Sequence, residues 1–283
     1  MNNSTVNFTT SAVSTNSTTQ NSGLLDNVKF GVHCINFLFG LPTHSYVIWL
    51  IITGSESGVA SSFFNLNLSV CEIANCLNSL LTVLDYFTCF SSLTILTYFL
   101  VGLAITGRPL FQCLMCVERY LAVVHPVIFL KFKPLRYRVI CCAVAWLISF
   151  GSCLCCIFTL VLHNIYVYAW INSVQFLLLF FFQLFCLVAV LRALKQSEPG
   201  DRGREREEEN PMKRTAFYLI LITTMNMSII YMPFTISGFI YVLTQHYFDE
   251  SMSAGIICFI LGGFVQPIVY LHRAGKLSRL RSP

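Results

Sequence analysis

Sixteen of the eighteen Lys and Arg residues in this chain fall into three short segments, and long apolar runs separate those segments. The first holds Arg119, Lys131, Lys133, Arg136 and Arg138. The second holds Arg192, Lys195, Arg202, Arg204, Arg206, Lys213 and Arg214. The third holds Arg273, Lys276, Arg279 and Arg281. Only Lys29 and Arg108 lie elsewhere. Loops rich in Lys and Arg stay in the cytoplasm, so the pattern marks alternate loops as inner and implies a polytopic membrane protein of fixed orientation. Charged residues make up 11% of the chain, against roughly 25% in an ordinary soluble domain.

A helix needs about 20 apolar residues to cross a hydrocarbon core ~30 Å thick. Seven runs qualify: Phe30–Ile52, Phe63–Leu84, Ser92–Val117, Val139–Leu162, Tyr168–Leu191, Thr215–Leu243 and Met252–Leu271. No Asp, Glu, Lys or Arg occurs from Val139 to Leu191. That stretch is too long for one crossing, which places a turn near His163–Tyr166. An odd number of crossings puts the two ends on opposite sides. The basic C-terminus is then inside and the N-terminus outside. The fold class is an all-α membrane protein, a bundle of seven transmembrane helices over residues 29–271. The short basic tail, 272–283, faces the cytoplasm. Its charge, with that of the inner loops, favours anionic lipid of the inner leaflet. Loop topology accounts for the net charge of +5, and no nucleic-acid role is expected.

Residues 1–28 form the outer tail. Met1–Asn27 is rich in Asn, Ser and Thr and lacks Lys and Arg, so it is expected to be disordered. It carries glycosylation sequons at Asn2, Asn3, Asn7 and Asn16, on the side where acceptors are modified. Asn67 and Asn226 also match the pattern but lie within spans. The tail has neither the charged start nor the short apolar core of a signal peptide, so Phe30–Ile52 is expected to target the chain. Residues 195–214 combine charges of both signs with Pro and Gly and read as a solvated inner loop. Most of the thirteen cysteines fall within spans as small apolar packing residues. Cys89 lies in an outer loop, with Cys155 and Cys156 as candidate partners. No Cys/His spacing suggests zinc.

The motifs narrow the class. Span one contains "GLPTHSYVIW" and span two "LNLSVCE". Span three ends in Glu118-Arg119-Tyr120 followed by "LAVVHPV". Span four has a lone Trp146, span six has Tyr231-Met232-Pro233-Phe234, and span seven has Gln266-Pro267-Ile268-Val269-Tyr270. In this order and spacing the chain resembles the rhodopsin-like (class A) G-protein-coupled receptors. The resemblance covers roughly Phe30 to Leu277. The first and third motifs look most like the branch holding purine, protease-activated and hydroxy-acid receptors. The resemblance implies a heterotrimeric G protein as inner partner, contacted through Glu118, Arg119, Tyr120, Val127 and Tyr270. It implies that Arg119 pairs with Glu118 at rest and turns to the G protein on activation. Pro233 and Pro267 remove backbone hydrogen bonds and give their helices pivots.

Departures from that family are numerous. Glu72 stands where Asp is usual, His44 where Asn is, Tyr231 where Trp is, and Gln266 where Asn is. Thr94 occupies the usual Cys place, and the proline pattern of span five is missing. Most unusual is Arg108-Pro109 in the middle of span three, where a charge costs ~2.5–3.5 kcal/mol on insertion scales. Arg108 lies eleven residues above Arg119, about 16 Å along the helix, and Glu72 lies nine above Phe63, about 14 Å. The two charges therefore share a depth. Family members hold a sodium ion near this acid, and the guanidinium here is placed to replace it. Two further roles stay open for this pair: a purely structural one, and an ion path. Glu72, Arg108, Tyr231, Pro233, Gln266 and Pro267 are the candidate switch residues.

The candidate ligand pocket is Tyr98, Val101, Phe234, Thr235 and Tyr241. Val101 occupies the site where amine receptors carry Asp, so amine ligands are not expected. The lining suits an apolar or lipid-like ligand from outside. No paired carboxylates, metal cluster or nucleophile constellation is present, so neither catalysis nor a cofactor is expected. Plasma-membrane signalling is the expectation. A non-signalling receptor-like scaffold, and a transporter or channel using Glu72 and Arg108, are the alternatives. Glycosidase treatment should lower the apparent mass, and replacing Asn2, Asn3, Asn7 and Asn16 with Gln should abolish that change. An unchanged mass in the parent chain would contradict the assigned sidedness.

Overall fold

The computed structural model describes residues 12–53, 59–88, 93–131, 134–162, 164–196, 205–244 and 249–273. Among them there are helices and no strand. Seven helical segments are long and apolar enough to cross a membrane. Span one is α1 (Ala12–Ile35), a π-helical segment (Asn36–Gly40) and α2 (Leu41–Ile52). Span two is α3 (Val59–Thr88), and span three is α4 (Thr94–Val124). A short α5 (Pro126–Lys131) precedes span four, α6 (Pro134–Val161). Span five is α7 (Ile165–Gln196), and span six is α8 (Glu205–Thr244). Span seven is split into α9 (Asp249–Gly262) and α10 (Val265–Arg273). The break between α6 and α7 falls where a turn near His163–Tyr166 was expected.

The helix of span one begins at Ala12, ahead of Phe30, where the apolar run starts. No proline occurs before Pro42 to stop it, and Lys29 pairs with Asp26 one turn back at 2.6 Å. Asn2, Asn3, Asn7, Cys89, His163, His246, Lys133 and the tail beyond Arg273 lie outside the described residues. Asn16 falls in the opening turns of α1. The π segment has a local cause. Pro42 has no N–H for the carbonyl of Leu38 and its ring crowds that turn, so the helix widens just before it. Gly40 faces span two there, and its missing side chain leaves room for Asn36 Oδ1 and Cys76 Sγ. The Asn36 amide donates to Ser79 Oγ at 2.8 Å, tying span one to span two.

Span three is the axis of the bundle, packing against spans two, four, five and six. Small residues let its neighbours approach, as is usual where no water drives helices together. A Cβ on Gly102 would lie 3.0 Å from the Cys153 backbone of span four. Thr106 and Ser152 share a hydrogen bond of 2.6 Å across the same contact. One apolar cluster joins spans two, three and four through Phe64, Leu68, Phe111 and Ala145. A second joins spans one, three, five, six and seven through Val32, Ala104, Phe176, Met227, Tyr231 and Phe259. Trp146 donates to Asn67 Oδ1 at 2.8 Å, so the span-four indole anchors to span two.

Pro109 interrupts span three from within. It has no N–H to give the carbonyl of Ile105, one turn earlier. The Tyr231 hydroxyl of span six donates to that carbonyl at 3.2 Å. An orphaned acceptor in hydrocarbon is thereby satisfied by a neighbouring helix. The Tyr231 ring stacks on Phe176 of span five at 5.3 Å between centroids. Tyr231→Phe should cost about 1–3 kcal/mol, the penalty for a buried unsatisfied acceptor. In a Pro109→Ala background, where the backbone can donate again, the same change should cost less. Thermal unfolding of the four proteins in detergent measures this. An equal cost in both backgrounds would contradict the account.

Candidate functional site

Glu72 and Arg108 meet in the middle of the bundle, at 2% and 1% exposure. Arg108 Nε donates to Glu72 Oε1, and Nη2 donates to Oε2 at 2.5 Å. This is a two-pronged guanidinium–carboxylate pair, the geometry that gives such contacts both strength and direction. Arg108 does more than neutralise the acid. Its Nη1 donates to the backbone carbonyl of Phe259 in span seven at 2.5 Å, and the guanidinium carbon lies 4.1 Å from the centre of the Phe259 ring. One side chain from span three therefore holds spans two and seven together.

The Phe259 carbonyl is available because span seven breaks four residues later. In an uninterrupted helix it would accept from the N–H of Gly263. Here Gly263 donates instead to Ile260 at 3.1 Å, and Phe264 donates to Leu261 at 3.2 Å. The tightened turn frees the carbonyl that Arg108 takes. Gly263 also roofs the pair, since a Cβ there would lie 2.9 Å from Glu72 Oε2 and 3.1 Å from Arg108 Nη2. On the other side of the break, the Asn226 amide of span six donates to the Gly262 carbonyl at 3.4 Å. Gln266 donates to Thr223 Oγ1 at 3.4 Å, a second link from span seven to span six. His44 is buried as well, close enough to Glu72 and Arg108 to interact electrostatically.

Toward the end of the bundle that carries Arg119 lies a second buried pair. Glu118 is held by Arg138 at the start of span four, whose Nε and Nη2 both donate to Oε1, at 2.8 and 2.5 Å. The resting pair of Glu118 with Arg119 that the resemblance implies stands as an expectation beside this contact. Arg138 comes from the other side of the loop, as part of the first basic segment, and both partners are almost fully buried. Arg119 lines a cavity of about 40 Å³ with Met115, Ile220, Thr223, Gln266 and Tyr270. Three of the residues singled out by motif, Arg119, Gln266 and Tyr270, thus converge. Tyr120 shares a hydrogen bond of 3.2 Å with His125, and Val127 is 77% exposed. Pro233 is half-buried within span six, and Pro267 is buried in α10.

The candidate ligand residues divide. Thr235 lines a cavity of about 120 Å³ between spans three, five and six, with Ile105, Pro109, Tyr168, Phe176 and Tyr231. Tyr98 lines a separate cavity of about 260 Å³ between spans two and three, beside Asp85. Val101 and Tyr241 are half-buried, and the side chain of Phe234 lies outside the described set. The sequence reading missed Phe259, Gly263, Asp85 and Arg138. Gly262-Gly263, just before Pro267, was the available signal for a broken helix. No group of His, Cys, Asp and Glu among the described residues forms a metal site, and the described cysteines, including Cys155 and Cys156, are free thiols.

Residues 44–270 match the family described as 7 transmembrane receptor (rhodopsin family). The chain is 24% identical to the human uracil nucleotide/cysteinyl leukotriene receptor, over 89% of this chain and 75% of that protein. It is 29% identical to the human chemokine XC receptor 1, over 61% of this chain and 56% of that protein. Removing one charge of the Glu72–Arg108 pair strands the other in low dielectric, which costs roughly 3–5 kcal/mol, while removing both costs less. Glu72→Leu and Arg108→Leu should each lower stability in detergent, and the double change should recover part of the loss. Additive losses in this cycle would show that the charges do not act as a pair.

Proposed function

We propose that this chain, which belongs to the rhodopsin family of seven-transmembrane receptors and is a G-protein-coupled receptor, is held at rest by the Glu72–Arg108 pair and released by a stimulus at its outer face. It is a multi-pass membrane protein, and the plasma membrane is its proposed location. The basic end of the bundle lies inside and the end carrying the N-terminus lies outside, on the loop charges. The observation that carries the mechanism is the three-way contact of Arg108 with Glu72 and Phe259. It links spans two, three and seven at one depth. Movement of span seven against span three must break the Phe259 contact or carry the pair with it.

The stimulus selects between two arrangements of the bundle. An apolar or lipid-like ligand in the cavity between spans three, five and six would press on Tyr231 and Pro109 directly. Tyr231 bonds to Ile105, three residues before Arg108, so the ligand cavity and the ion pair share one segment of span three. Pro233 supplies the pivot by which the inner end of span six moves. That motion would widen the cavity that Arg119, Gln266 and Tyr270 line and admit the heterotrimeric G protein. The relatives' names give nucleotides, leukotrienes and a chemokine as their ligands. The first two are anions, whereas the outer half of this chain offers Lys29, already paired with Asp26, so neither is proposed here.

Arg119→Ala should reach the membrane in normal amount and lose G-protein nucleotide exchange, measured with purified receptor and G proteins. Exchange retained in full would contradict the coupling role. Exchange lacking in the parent chain as well, with no ion flux in liposomes, would identify a scaffold instead.

A further inference from the structure

We propose a second ligand site, for a small organic ammonium ion, in the cavity between the outer ends of spans two and three. It goes beyond the apolar site above and rests on the receptor reading only for its outward sidedness. The cavity measures about 260 Å³, opens at the surface where Leu84, Asp85, Leu93 and Thr94 are exposed, and is closed behind them by Leu81, Thr97 and Tyr98. Asp85 lies one turn from the end of α3, and Thr94 opens α4. The carboxylate therefore stands near the water boundary, where a charged ligand arrives without crossing hydrocarbon.

Asp85 has no ion-pair partner among the described residues. The chain has no Lys or Arg between Glu72 and Arg108, so neither the outer halves of these two helices nor the loop joining them brings a counter-ion. The wider charge pattern agrees. Lys29 is the one Lys or Arg assigned to the outer side, against Asp26, Asp85, Asp249 and Glu250. An outer surface of that sign concentrates cations and repels anions. The chemistry of the walls selects among cations. Calcium takes 6–8 oxygen ligands at about 2.3–2.6 Å, and one carboxylate with hydroxyls between leucines does not supply that shell. A protonated amine needs one carboxylate, a few hydroxyl acceptors and an apolar surface for its carbon arm. Asp85 provides the first, Thr94 and Tyr98 the second, and the three leucines the third. The Tyr98 ring adds an aromatic face of the kind that attracts ammonium groups. The cavity lies just below the ~300–1,000 Å³ of ordinary ligand pockets, which fits a small amine.

Position also gives the site a route to the centre. Spans two and three, which form its walls, are the helices clamped by Glu72 and Arg108. Tyr98 lies ten residues above Arg108 on span three, about 15 Å along the helix. A ligand that ties the outer ends together bears on the same helix pair.

The full chain in lipid nanodiscs, without G protein, tests this by titration with 2-phenylethylammonium and with neutral 2-phenylethanol. Melting temperature and saturation-transfer NMR are the readouts. The ammonium ion should raise the melting temperature saturably and the alcohol should not. Asp85→Asn should weaken binding at least tenfold, and Asp85→Glu should retain part of it. Should Asp85→Asn not fold, Leu84→Phe narrows the cavity and keeps the charge, and it should weaken binding likewise. Equal effects of amine and alcohol would overturn the proposal. So would an unchanged affinity in Asp85→Asn or, failing that variant, in Leu84→Phe. Because no G protein takes part, failure of this site shows in the titration and failure of the receptor reading shows in nucleotide exchange.

Discussion

A guanidinium and a carboxylate withdrawn from water in the middle of a helix bundle constrain everything around them. Each is expensive alone in a low dielectric, and the pair is tolerable only when its geometry is good and its remaining donors are met. Arg108 meets both conditions. Two of its nitrogens face the two oxygens of Glu72, and the third finds the Phe259 carbonyl. The arrangement fixes the depth of span two against span three. It requires span seven to break at one place, and it requires a residue without a side chain at position 263.

The same device recurs around the core. A helix loses a backbone donor or tightens a turn, a carbonyl is left over, and a polar side chain on a neighbouring helix takes it. Pro109 frees Ile105 for Tyr231. The turn at Gly263 frees Phe259 for Arg108. The break also exposes Gly262 to Asn226. In hydrocarbon these contacts have no water to compete with them. They stitch spans two, three, six and seven through a few hydrogen bonds that can be exchanged, while the apolar clusters between them supply bulk packing. A bundle built this way has discrete alternatives, since each carbonyl is either held by its partner or not.

The number of spans, the turn between spans four and five and the shared depth of Glu72 and Arg108 were legible in the sequence. Each depends on something linear: run length, charge spacing, or rise per residue. The Phe259 contact was not legible, because it depends on how α9 ends, and Gly262-Gly263 signals a break without saying which carbonyl it frees. The Arg138 contact to Glu118 was not legible for a related reason: twenty residues separate the two, and Arg138 reaches that face from span four. Tyr231 read as a simple replacement of an aromatic residue. Its hydroxyl became meaningful only beside Pro109, two positions that no spacing rule connects. The first helix runs ahead of its apolar stretch, because composition describes what a segment can bury and says less about where a helix already under way will stop.

The central claim is that Arg108 fastens the broken segment of span seven to the core. Amide hydrogen exchange over residues 259–270, compared between the parent chain and the Glu72→Leu/Arg108→Leu double variant, tests it most directly, since the double variant carries no stranded charge. The account predicts faster exchange confined to that segment in the variant, with protection of spans two and four kept. Unchanged protection over residues 259–270 would show that the break is held by packing alone and would contradict the claim.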